Sequence, residues 1–235
     1  MKVYAVRSSV KLRQSLIEHL LGFVSVDKCE RLKKFIFWQD LHRSLFADLL
    51  VRKIIVDTFD IFNKEIEFGV NEFGKPYCKN INNFYFNVSH SGDWIVCAVD
   101  KGSVGIDVEK ISTVIDLGIS ENFFSNKEHD DLLSKIDPFD YFFTLWSLKE
   151  SYIKFIGKGL SHPLNTFSMK LNNSKIYIES QNKILEDIYF KQYNIDKEYK
   201  MAVCGSNPDM PENVIMYNIS KVIEPFLNLE INHNF

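Results

Sequence analysis

VGIDVEK, residues 104–110, decides the fold. Apolar residues alternate with Gly105, Asp107 and Glu109 at the two-residue period of a strand. Successive strand side chains point to opposite faces, so Asp107 and Glu109 share one face. Two neighbouring negative charges repel unless something positive lies between them. Gly105 beside them permits close approach of another backbone. A solvent-facing strand would carry the same alternation, so the neighbouring segments must decide.

Just upstream, FYFNVSHSGDWIVCAVD (84–100) reads as strand, turn, strand, with Ser91-Gly92-Asp93 at the turn. Further upstream, Leu41, Leu45, Leu49 and Arg52 fall at helical spacing within 39–57, with Asp40 as its N-cap. Downstream, Ser125 and Glu128 have capping-box spacing. The stretch DPFDYFFTLWSLKESYIKFIGKG (137–159) is a long amphipathic helix stopped by Gly157 and Gly159. NTFSMKL, KIYIES, IYFKQY and YKMAVCGS then alternate as strands, and the chain beyond NPDMPEN reads as peripheral. A long helix leads through strands to WIVCAV, and a second long helix leads through strands to KMAVC. The expectation is an α+β fold built as a pseudo-twofold duplication. Two similar α+β lobes, 1–103 and 104–235, would each pack a small, mostly antiparallel sheet on a long helix.

Composition narrows the function. The 235 residues are 46% hydrophobic and 25% charged, as in an ordinary soluble globular protein. A net charge of -3 gives no global basic field for nucleic acid. No apolar stretch is long enough to span a membrane, and MKVYAVRSSV has too short an apolar run for a signal peptide. Four widely spaced cysteines, without a CxxC pair, argue against zinc or a disulfide framework and for a reducing cytoplasm. Cys97 and Cys204 lie in apolar runs and read as core thiols.

Within 137–159, Ser147, Glu150, Ser151, Lys154 and Lys158 form a polar stripe, opposite Leu145, Leu148, Tyr152 and Ile156. Glu150 and Lys154 are an i,i+4 pair, which on spacing alone is also an ordinary surface salt bridge. If Glu150 points at Asp107 and Glu109, three carboxylates converge. An all-oxygen set favours a hard cation, Mg²⁺ or Mn²⁺, which keeps phosphate oxygens and water among its ligands. Ser89, His90 and Ser91 beside Gly92 suit an anion, or are an ordinary hairpin tip. Lys28, Arg31, Lys33, Lys34 and Lys75 are either a solvated charged face or a grip on several phosphates of one ligand.

VGIDVEK followed some forty residues later by LWSLKESYIKFIGKGL resembles the signature of the 4′-phosphopantetheinyl transferases, closest to the surfactin-synthetase-activating type. HRSLFADLLVR, FGKPY, FNVSHSGDW, FFS with an acidic helix, PL with FS, and YKMAVC fall in the family's order. The resemblance implies a two-lobed monomer that moves 4′-phosphopantetheine from coenzyme A to a serine of an apo carrier protein, releasing 3′,5′-ADP. Asp107, Glu109 and Glu150 match the family's metal-binding carboxylates. Lys154 matches the lysine near the transferred phosphate. Lys28, Arg31, Ser44, Lys75, Ser89 and His90 match positions that hold the coenzyme A nucleotide and its phosphates. Arg31 stands where lysine is expected and Ser44 where threonine is frequent; both keep the needed chemistry.

By that resemblance Glu150, or a bound water, takes the proton of the carrier serine, and Lys154 stabilises the leaving phosphate. ISTVIDLGISENFF follows the metal strand. Its Leu117 and Ile119 are candidates to meet a carrier helix, whereas Phe123 and Phe124 read as core. A metal-dependent phosphoesterase is a second reading, but it would need ligands for a second metal. A non-catalytic coenzyme A or carrier-binding module is a third, against which the intact Asp107, Glu109, Glu150 and Lys154 set argues. The residues do not name the carrier or choose between Mg²⁺ and Mn²⁺.

Overall fold

The computed structural model describes residues 1–172 and 175–227. Its strands are β1 (Lys2–Arg7), β2 (Phe68–Val70), β3 (Pro76–Cys78), β4 (Tyr85–Ser91), β5 (Trp94–Asp100), β6 (Val104–Lys110), β7 (Phe167–Asn172), β8 (Lys175–Ser180), β9 (Lys183–Ile184), β10 (Tyr189–Gln192), β11 (Tyr199–Gly205) and β12 (Ile215–Tyr217). Its helices are α1 (Gln14–Leu21), α2 (Val26–Leu32), α3 (Trp38–Phe59), α4 (Ser120–Phe123), α5 (Asn126–Leu133), α6 (Pro138–Ile156) and α7 (Ile219–Leu227).

Two sheets carry the architecture. One runs β12-β1-β5-β4, antiparallel except where β1 meets β12. The other runs β10-β11-β6 and is antiparallel throughout. The two-residue alternation of each strand gives each sheet two apolar faces. Tyr4, Val6, Ile95, Cys97 and Val99 pack with α3 on one face of the first sheet. Ala202 and Cys204 of the second pack with Leu145, Leu148 and Tyr152 of α6. The remaining faces share a third core, where Val3, Ala5, Val96 and Ala98 meet Val104, Ile106, Val108, Met201 and Val203. The order is therefore helix, sheet, sheet, helix. This is the mixed fold of small, mostly antiparallel sheets on long helices that the sequence implies.

The helix ends follow local chemistry. In α6, Pro138 opens the first turn, the Asp137 side chain accepts from Asp140 N at 3.0 Å, and Gly157 closes it in the left-handed region at φ 72°. Ser125 and Glu128 complete the capping box of α5. Asp40 does not cap α3. The helix starts two residues earlier, at Trp38, so Asp40 lies in its first turn and bonds Arg43 Nη2. Cys97 and Cys204 are fully buried, as expected of core thiols. The hairpin tip between β4 and β5 is the two-residue pair Gly92-Asp93, because Ser91 still pairs with Trp94.

Beyond NPDMPEN, the described residues up to 227 are not peripheral, and residues 228–235 lie outside the described residues. β12 pairs in parallel with β1, and Val222, Ile223 and Phe226 of α7 enter the α3 core. This segment follows the second lobe in sequence but completes the first.

Gly105 sets the distance between α6 and β6. A Cβ there would lie 2.0 Å from Ser151 O and 2.4 Å from Phe155 N, both backbone atoms of α6. No rotamer change relieves such a clash, so helix or strand would have to move. Gly105→Ala is expected to lower unfolding stability by about 3 kcal/mol or more. Urea denaturation checks this; a stability within about 0.5 kcal/mol of wild type would show that the seam can relax.

Candidate active site

The site forms where the two sheets meet. β4 and β6 are the facing edge strands, and three alternate side chains of β4 reach across. Asn87 Oδ1 accepts from Ile106 N at 2.8 Å. Ser89 Oγ donates to Asp107 Oδ1 at 2.8 Å. Ser91 Oγ donates to Glu109 Oε2 at 2.9 Å and accepts from Lys110 N at 3.1 Å. Asn87, Ser89 and Ser91 lie opposite Ala98, Val96 and Trp94 on β5, so they share the inward face of the first sheet. His90 pairs with Ile95 and lies on the opposite face, where it is exposed. The strand register therefore separates Ser89 from His90, which the sequence had grouped at one turn.

The positive group beside the β6 carboxylates is Lys154. Its Nζ contacts Asp107 Oδ1 at 2.6 Å and Ser89 Oγ at 2.9 Å. Lys154 makes no ion pair with Glu150, so the i,i+4 surface bridge is not formed. The polar stripe is only partly solvated: Lys158 is exposed, but Ser147 and Ser151 are fully buried, and the backbone of Ser151 lies against Gly105 of β6. Asp107 is 2% exposed. Burial pushes its carboxyl above the usual range, opposed by Lys154 and Ser89. Burial, and then the charge of Asp107, raises Glu109 to about 7. The same two causes raise Glu150 to about 6.

Burial raises all three carboxylates, and the charge of Asp107 raises Glu109 and Glu150 further; with only one lysine beside them, the group is short of positive charge. Asp107 Oδ2 is buried without any hydrogen-bond partner, and a buried acceptor in that state is costly. The all-oxygen donor set and the unpartnered Asp107 Oδ2 fit a hard divalent cation. Among the described residues, no three such side chains stand close enough to form a shell as they are placed. The structure brings Asp107, Glu109 and Glu150 into electrostatic contact without gathering them around one point.

The basic residues lie on the α3 side of the first sheet. A cleft of about 500 Å³ is lined by Lys28 and Arg31 of α2, Asp48 of α3, Gly74 and Pro76 of the β2–β3 turn, and Val88 of β4. Lys28 Nζ donates to Ser44 Oγ at 3.0 Å, which orients both, and burial lowers the Lys28 pKa. Lys75 points elsewhere. Its Nζ donates to the carbonyls of Val104 at 3.0 Å and Phe155 at 3.3 Å, and burial lowers its pKa to about 8.

Two residues passed over in the sequence prove important. Lys149, next to Glu150, is fully buried and donates to Glu128 Oε2 (2.8 Å), Leu164 O (2.9 Å) and Phe167 O (2.6 Å). A lysine in that position reads as helix surface, and only the tertiary packing gives it three acceptors. Asn71 ties the β2–β3 turn to Gly157 O at 2.8 Å. In the segment after β6, Leu117 and Ile119 are half-buried against the α6 core, and Phe124 is buried there. Phe123 is 36% exposed and Val114 92% exposed. Val114 is thus the most open apolar side chain of this segment, and no periodicity singled it out.

Two family models match the chain in tandem: "4′-phosphopantetheinyl transferase, N-terminal" over residues 13–102, and "4′-phosphopantetheinyl transferase superfamily" over residues 103–204. The 4′-phosphopantetheinyl transferase Sfp of Bacillus subtilis (strain 168) is 40% identical over 95% of this chain and 100% of its own length. The 4′-phosphopantetheinyl transferase gsp of Aneurinibacillus migulanus is 35% identical over 96% of this chain and 95% of its own. The human L-aminoadipate-semialdehyde dehydrogenase-phosphopantetheinyl transferase is 29% identical, covering 83% and 72%.

A carboxylate whose pKa rises on folding binds more protons in the folded state between its two values. Stability then falls as pH rises through that window. For Glu109 the window runs from its ordinary value of 4.5 to about 7. In cation-free buffer, wild type is expected to lose stability relative to Glu109→Gln across this window. Urea unfolding at a series of pH values checks it; parallel curves for the two proteins would contradict the raised pKa.

Proposed function

The chain belongs to the 4′-phosphopantetheinyl transferase superfamily, and we propose that it moves 4′-phosphopantetheine from coenzyme A to a serine of an apo carrier protein. The observation that carries this for the site is the buried Asp107, paired with Lys154 on one oxygen and unpartnered on the other. The lobes in this reading are 1–103 and 104–235, with β12 and α7 of the second stretch packed into the first lobe and the ligand lying across the seam. Four free cysteines suit a reducing cytoplasm. No helix among the described residues is long and apolar enough to cross a membrane. The working unit is a monomer.

Lys28, Arg31, Ser44, Lys75, Ser89 and His90 are assigned to the nucleotide of coenzyme A and its phosphates. Asp107, Glu109 and Glu150 would hold a divalent cation, Mg²⁺ or Mn²⁺, which when bound supplies positive charge against the pyrophosphate. Lys154, which bonds Ser89 and Asp107, would face the same phosphates and stabilise charge on the departing one. The carrier serine oxygen forms a bond to the phosphorus that bears pantetheine, and the bond from that phosphorus to the bridging oxygen breaks. 3′,5′-ADP leaves with the electron pair, and the serine proton passes to Glu150 or to a bound water beside it. Leu117 and Ile119, with exposed Val114 beside them, are the proposed landing site for a carrier helix.

Intact mass of an apo peptidyl carrier protein, incubated with the protein, coenzyme A and Mg²⁺, tests the reading. The expected result is a gain of one phosphopantetheine that EDTA abolishes. Loss of coenzyme A without any acceptor would favour a phosphoesterase. Binding of coenzyme A with no transfer to any carrier would favour a binding module. Glu150→Gln is expected to lower kcat by about 10²–10⁴-fold with the fold intact. A Glu150→Gln protein with wild-type kcat would remove that residue from proton transfer.

A further inference from the structure

The last turn of any α-helix leaves carbonyl oxygens without partners inside the helix. At the end of α6, Ile153 O is met by Gly157 N, while Phe155 O and Gly157 O are met by side chains from outside the second lobe. Phe155 O accepts from Ser103 Oγ at 2.7 Å and from Lys75 Nζ at 3.3 Å. Gly157 O accepts from Asn71 Nδ2 at 2.8 Å. Lys75 Nζ also donates to Val104 O at the start of β6, at 3.0 Å. Asn71 and Lys75 are the two ends of one tight turn, closed by Asn71 N to Lys75 O at 2.9 Å.

Asn71 uses both ends of its amide. Oδ1 accepts from Phe73 N at 3.0 Å and from Lys75 N at 2.8 Å, which fixes the turn. Nδ2 donates one of its two protons to Gly157 O at the end of α6. Gly74 and Pro76 of the same segment line the basic cleft. One side chain thus connects the wall of the cleft to the helix that carries Glu150 and Lys154. The contact is close: a Cβ on Gly157 would lie 3.2 Å from Asn71 Nδ2 and 3.1 Å from Lys75 Cδ.

We propose that Asn71 is a positioning residue for the transfer reaction, clasping the C-terminal end of α6 so that Glu150 and Lys154 are held at the phosphates of a ligand in the cleft. The turn-fixing half of its amide shapes the cleft; the Gly157 half sets the helix. The two halves should therefore separate in kinetics, the first in KM for coenzyme A and the second in kcat. The kinetic part rests on the transferase reading; the clasp itself does not.

Two variants and two readouts test it. In Asn71→Ser the hydroxyl still accepts from the turn's N–H groups but is too short to reach Gly157 O. Asn71→Ala loses both halves. Hydrogen exchange is expected to quicken about fivefold at the amides of residues 155–157 in both variants, the size expected for one lost hydrogen bond. Asn71→Ser is expected to lower kcat about tenfold or more, with KM for coenzyme A and thermal midpoint near wild type. Asn71→Ala is expected to raise that KM as well. Unchanged exchange at 155–157 in both variants would overturn the clasp whether or not the protein transfers phosphopantetheine. Wild-type kcat in Asn71→Ser, or a loss of kcat matched by a fall in thermal midpoint, would overturn the positioning role. An inactive wild type with quickened exchange in the variants would sink the transferase reading and leave the clasp standing.

Discussion

The absence of one side chain governs the centre of this molecule. At Gly105 the backbone of β6 lies against the backbone of α6, closer than any Cβ allows. Because the strand alternates, residues 107 and 109 follow Gly105 on the same face and turn toward the same helix. Because the helix repeats every three to four residues, Ser151 and Lys154 arrive opposite them. The contact between Lys154 and Asp107 is thus a geometric consequence of the glycine, two residues away. A wider seam would leave the lysine reaching into solvent, where an ion pair is worth little.

The seam is also the place where polar chemistry enters an otherwise apolar stack. Val3, Ala5, Val96 and Ala98 meet the second sheet through hydrocarbon, yet Asn87, Ser89 and Ser91 cross at the edge by hydrogen bonds. These three side chains take the place of a backbone ladder between β4 and β6. They give Asp107 and Glu109 fixed partners without neutralising them. On the far side of α6, Lys149 and Glu128 form a second buried ion pair with every donor engaged. A pair of that kind costs desolvation and contributes little net stability, but it allows few alternative packings. α6 is held from both sides, and Glu150 sits between the two holds.

Much of this was legible in the residues and some was not. The capping box at Ser125, the proline at 138 and the glycine at 157 are local signals, and the helices end where they predict. The strand character of VGIDVEK is local too. Asp40 misled because aspartate serves equally well within a first turn, where it found Arg43. The division of Ser89 from His90 depends on strand register, which their spacing alone does not reveal until the partner strand is known. Lys75 and Lys149 look like surface charges in sequence; their carbonyl partners come from segments between 15 and 80 residues away. β12 and α7 were invisible as structure because their apolar residues complete a core that begins more than two hundred positions earlier.

That last arrangement bears on how the chain is made. A ribosome delivers β1 long before α7. While the residues between 100 and 226 emerge, over on the order of ten seconds, first the outer edge of β1 waits for β12 and then the groove of α3 waits for Phe226. An uncovered strand edge beside an apolar groove is an adhesive surface. The nascent protein therefore passes through an interval in which its second lobe has the residues to close while the first is incomplete. Chaperone occupancy during translation would be concentrated in that interval.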